Sequence, residues 1–142
     1  MLSFAQFIAE SFLSHVNLIW NLSRPECATA AFTVDSVKVI VSFEQRETRS
    51  AWHVVFEVEE GDKTQVAYSA FSIFNGVFQA VQEFMEVWEP EKLVFATKRD
   101  ELAGIYRTYL RKEASTLEKL GYKLEGPHRV DPFMTFVVRR AA

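Results

Sequence analysis

The sequence predicts an α+β fold, a single domain built on a mixed β-sheet. Three observations carry that expectation. Residues 29–71 hold four segments with alternating apolar residues and short polar turns, the pattern of an antiparallel meander with one buried face. From Asn75 the apolar period changes from that of a strand to that of a helix. The compact apolar run KLVFAT comes next, as expected of a strand buried on both faces and parallel to a neighbour.

The elements follow in order. SFAQFIAESFL reads as a short amphipathic helix: Ser3 and Gln6 form a capping-box pattern, and Phe4, Phe7, Ile8 and Phe12 recur at helical spacing. HVNLIWNL (15–22) reads as a strand, broken by Ser23, Arg24 and Pro25. Further strands are expected near 29–34 and 37–43 around an Asp35-Ser36 turn, then at 51–60, then at 64–71 after a Glu59-to-Lys63 turn. Asn75 is placed as the N-cap of the next helix. Val77, Phe78, Val81, Phe84, Met85 and Trp88 mark its apolar face, and Gln79, Gln82, Glu83 and Glu86 its polar face. Pro90 ends it.

After KLVFAT (92–97), the stretch KRDELAGIYRTYLRKEASTLEKLGYKL reads as one long amphipathic helix. Asp100 and Glu101 in its first turn, Lys119 in its last and Gly121 at its stop suit the helix dipole. YKLEG and DPFMTFVVRR close the chain as two strands. One crossover unit is expected to make 65–71 and 92–97 parallel, with a right-handed connection. The single domain, 1–142, divides into an N-terminal helix and strand (1–22), the meander (28–71) and a crossover half (72–142).

Composition narrows the function classes. At 142 residues the chain suits one domain with a full core and no metal or disulfide staples. With 13 phenylalanines and 49% hydrophobic residues, it reads as well packed rather than disordered. A net charge of -3 disfavours general nucleic-acid binding. The lone Cys27 has no partner for an internal disulfide and suits a reducing compartment. Glu10 interrupts the first apolar run, which also lacks a basic start, so no signal peptide is expected. No stretch reaches membrane-spanning length, and the expected location is cytoplasmic.

The segments VSF (41–43), WHVVFEV (52–58), VFQAV (77–81), LVFAT (93–97) and AGIYRTYLRK (103–112), preceded by SFAQF and NLIW, carry a resemblance. In order and spacing the chain resembles the GNAT family of acetyl-CoA-dependent N-acetyltransferases. More closely, it is similar to small uncharacterised GNAT-like proteins encoded by tailed bacteriophages. The resemblance implies a GNAT-like mixed sheet, an antiparallel meander followed by a β-α-β-α-β-β half. It also implies an acetyl-CoA pyrophosphate held by a Q/R-x-x-G-x-G/A loop at a helix start, where bare backbone N–H groups meet the phosphates. The corresponding segment here is FSIFNGVF (71–78), and neither placement of Gly76 supplies the other residues of that loop. Leu102 stands where the phage relatives often carry an arginine.

By the resemblance, Tyr106 would be the acid that reprotonates the leaving thiolate, with Tyr109 as its neighbour candidate. Glu57 and Glu59 would supply the base, and Asn75, Gly76 and Val77 would meet the acetyl-CoA phosphates. The bland readings stand beside these: tyrosines packed in a core face, and glutamates on a solvated strand. His15, His53 and His128 are scattered without metal-ligand spacing, so no metal is expected. Phe4 and Phe7 on the first helix and Glu83 and Glu86 on the second are the candidate partner-binding residues. A homodimer seam at the first helix is the alternative there.

The expected function is therefore a phage-encoded accessory protein with a GNAT-like fold, non-catalytic, that binds a host or phage protein. The alternatives are an acyl-CoA-dependent N-acyltransferase with a divergent pyrophosphate loop, and a virion-associated structural protein.

Overall fold

A computed structural model describes residues 16–46, 51–62, 64 and 70–141. Its described elements run β1 (Ile19–Arg24), β2 (Cys27–Val34), β3 (Val37–Gln45), β4 (Ala51–Glu60), α1 (Ala70–Trp88), β5 (Lys92–Thr97), α2 (Asp100–Lys112), α3 (Ala114–Lys119), β6 (Tyr122–Val130) and β7 (Phe133–Arg140). The seven strands form one sheet in the order β1-β2-β3-β4-β5-β7-β6. All neighbours are antiparallel except β4 and β5, which are parallel. The α+β class and the mixed sheet follow from this arrangement. The expected first helix, with Phe4 and Phe7, lies outside the described residues.

Local chemistry explains most boundaries. Val34 pairs with Val37 across a two-residue turn in which Asp35 and Ser36 take φ of 50° and 66°. Positive φ at both central residues matches the right-handed twist of a hairpin, and a short polar side chain tolerates it best. At the end of α1, Glu89 takes φ of 47° and its N–H donates to the Met85 carbonyl at 3.0 Å. Pro90 has no N–H with which to continue the helix. Gly121 closes α3 at φ of 88°, a conformation that favours glycine.

Four expectations are corrected. Of the expected fourth strand, 64–71, the described residues are helical: Thr64, and Ala70 and Phe71, which open α1, while 65–69 lie outside the described residues. The parallel partner of β5 is β4, at Ala51–Val54 against Lys92–Phe95. An apolar stretch this short satisfies both periods, because the spacing of Phe74, Val77, Phe78 and Val81 extends backward through Ala70 as well. Asn75 accordingly lies inside α1 and does not cap it. The stretch 98–124 forms two helices rather than one, broken at Glu113, where ψ is 5°.

The core lies between the helices and one face of the sheet. Paired positions such as Ala30, Val41 and Phe56, or Phe43 and Val54, point to that face. Phe43 stacks on Phe84 of α1 at 4.2 Å, and Phe95 and Phe136 meet Tyr106 of α2. The opposite face carries Ile19, Ala31, Ile40 and Glu57 in one row, and no described element covers it.

Candidate functional site

The resemblance directs attention to the junction of β4 and β5. Their pairing stops at Val54 and Phe95, after which β4 runs on to Glu60 while β5 pairs only with β7. The two strands therefore part toward their C-terminal ends. Aromatic side chains fill the opening. Phe56 meets Phe74 edge-on at 5.3 Å and Tyr106 at 6.4 Å, and Tyr106 lies 5.6 Å from Phe95. Tyr106 is 2% exposed.

The residues expected to act together are not brought together. Phe56 points toward the helices, so Glu57 points away from them, across the sheet from Tyr106. Glu59 sits by the register shift of β4 and pairs with Lys38 at 3.4 Å. A sheet thus stands between the proposed base and the proposed acid. Asn75, Gly76 and Val77 lie within the hydrogen-bonded body of α1, and Val77 is fully buried. The amides of a helix interior already bond the preceding turn and offer no free donors to a pyrophosphate. The backbone of Gly76 is instead the floor on which Phe32 rests: a Cβ there would lie 2.5 Å from the ring.

Glu83 has structural work, accepting from the Trp20 indole N–H at 3.3 Å and from the Gln79 amide at 3.4 Å. Gln79 also donates to the Val16 carbonyl at 2.8 Å and accepts from the Val16 N–H at 2.9 Å, which ties the chain ahead of β1 to α1. Glu86 is exposed on the same helix, beside the exposed Val87. Among the described residues no group of three or more His, Cys, Asp or Glu is placed to hold a metal ion. No described helix is long and apolar enough to cross a membrane.

Reading by sequence motif missed one feature. A cleft of about 210 Å³ opens between α1 and the α2–α3 junction. Phe78, Val81, Leu110, Leu117 and Val138 form its apolar wall, and Asn75, Gln79, Gln82, Tyr109 and Glu113 its polar part. The signal was present in the spacing. Asn75, Gln79 and Gln82 recur at i, i+4 and i+7 on one helix, and Tyr109 on the next stands four residues before Glu113 at its C-cap. Nothing in the sequence said that the two stripes face each other.

Burial holds the phenols of Tyr106, Tyr109 and Tyr122 above the ordinary tyrosine range. The Glu113 carboxylate adds to the effect at Tyr109. At Tyr122 a hydrogen bond and charge from Arg140 oppose burial, and Glu89 reinforces it. A phenol whose folded pKa exceeds its unfolded value of about 10 stabilises the fold fully below that pH, and the contribution fades as pH rises through the folded value. The urea midpoint is therefore expected to fall steadily above about pH 10. Tyr106→Phe should flatten that fall while changing stability little at pH 7. A midpoint independent of pH up to 12 would contradict the burial assigned to these rings.

Comparison with protein-family models, with curated proteins and with solved structures finds no match.

Proposed function

We infer that this chain is an accessory binding protein on a GNAT-like framework, one that acts by contact with a host or phage protein rather than by acyl transfer. The observation that carries this reading is the aromatic filling of the β4/β5 opening by Phe56, Phe74, Phe95 and Tyr106. In the GNAT arrangement that opening receives the pantetheine arm of the cofactor. Here a cofactor arm would have to displace packed rings, each of which contributes about 3–5 kcal/mol to a core when buried.

Supporting the framework are the meander β1–β4, the parallel β4/β5 pair and the closing β6–β7 hairpin, in the order the sequence resemblance implies. Supporting the non-catalytic reading are the separation of Glu57 from Tyr106 by the sheet and the helix-interior position of Gly76. The motif resemblance to phage-encoded proteins motivates a host or phage protein as partner. The exposed Glu86 and Val87 on α1, the latter 72% exposed, offer it a mixed acidic and apolar contact.

Calorimetric titration of the purified protein with acetyl-CoA tests the reading. No saturable heat is expected up to millimolar cofactor. Binding at micromolar strength, weakened by a bulky residue at Asn75, would instead establish the acyltransferase reading.

A further inference from the structure

We propose that the cleft between α1 and the α2–α3 junction is a receptor for a single arginine side chain presented by a protein partner. The inference deepens the binding reading above and rests on it, since the guanidinium is taken to belong to a macromolecule.

Size is the first argument. At about 210 Å³ the cleft is smaller than the roughly 300–1,000 Å³ of sites that enclose drug-sized molecules or cofactors. It suits one side chain inserted from outside. Chemistry is the second. The lining contains the Glu113 carboxylate, the Asn75 and Gln82 amides and the Tyr109 phenol, and it contains no Lys or Arg. No hydrogen bond among the described residues engages the side chains of Asn75, Gln82 or Glu113. One carboxylate and two carbonyl oxygens can accept several of the five N–H groups of a guanidinium, and the carboxylate can do so with charge assistance.

The ring arrangement selects arginine over lysine. Phe78 and Tyr109 stack on each other at 4.9 Å with their planes 10° apart, and the half-buried Tyr109 rather than the buried Phe78 presents aromatic surface to the cleft. A planar, weakly hydrated guanidinium packs on such aromatic surface, whereas a compact ammonium keeps more of its water. Val81, Leu110 and Leu117 supply apolar surface for the methylene stem. Charge outside the cleft agrees in sign: Glu86 is exposed on the same helix, and the whole chain carries -3. That field favours approach of a basic partner.

The test uses the intact protein, with backbone amide shifts followed by NMR during titration with N-acetyl-arginine methylamide. Saturable shifts are expected at residues 75, 79, 82, 109 and 113, with a Kd on the order of millimolar. The neutral isostere N-acetyl-citrulline methylamide should bind about tenfold more weakly, and Glu113→Gln should weaken the arginine probe by a similar factor. Shifts centred on Glu86 instead of the cleft would overturn the proposal. So would equal binding of the citrulline probe, equal binding of N-acetyl-lysine methylamide, or an unchanged Kd in Glu113→Gln. Acetyl-CoA shifting the same cleft residues at micromolar strength would overturn the binding reading as well. Failure of the arginine probe alone removes only the cleft assignment.

Discussion

Phe84→Ala is expected to remove about 3–5 kcal/mol of stability, the loss typical of a phenylalanine cut from a core that cannot collapse. Phe84 has no exposed surface. It stacks on Phe43 at 4.2 Å with planes 3° apart and on Trp88 at 4.8 Å, while Trp52 meets it edge-on at 5.0 Å. Trp20 from β1 lies 6.4 Å away. One ring therefore joins three strands to the C-terminal half of α1. Its neighbours are rigid and planar, so they cannot flow into the space that alanine leaves. A domain of ordinary stability, roughly 5–15 kcal/mol, would lose a large share of it. Urea unfolding should show a lower midpoint with an unchanged slope. A loss under about 1 kcal/mol would mean that the stack relaxes, contrary to the packing described.

Gly76→Leu is expected to destabilise by about 1–3 kcal/mol, toward the upper end, even though leucine is by far the better helix former. The reason is a single close approach. An added Cβ would lie 2.5 Å from Cε2 and from Cζ of Phe32, and Phe32 is itself buried on β2. Gly76→Ala makes the cause separable. In the native protein the ring opposes the helix-propensity gain of about 1 kcal/mol, whereas in a Phe32→Ala background that gain is unopposed. Gly76→Ala should therefore turn stabilising there, and a double-mutant cycle reads the coupling directly. A phosphate-cradle role for Gly76 predicts the reverse: an unchanged urea midpoint and lost acetyl-CoA binding. The two outcomes do not overlap.

Much of the fold was legible because periodicity and turn chemistry are local. The Asp35-Ser36 hairpin, β4, β5 and the helix stop at Pro90 stand where residue type alone put them. The errors fall where two local readings were equally good. Residues 70–71 satisfied both a strand and a helix period, and they open the helix whose buried stripe runs from Ile73 to Met85. Glu113 breaks the long helix although no proline or glycine marks the place.

The candidate chemistry divides in the same way. Residue type and spacing by themselves determined an α+β domain with one mixed sheet, the Asp35-Ser36 hairpin, the apolar faces and a glycine-poor FSIFNGVF segment. Tertiary structure alone decided that Glu57 and Tyr106 lie on opposite sides of the sheet. It also decided that Gly76 makes room for Phe32, that aromatic rings close the β4/β5 opening, and that Asn75, Gln82, Tyr109 and Glu113 share a cleft. The physical reason is range. Backbone preferences and apolar period act over a few residues, whereas a site is made by pairing register and helix packing between residues tens of positions apart.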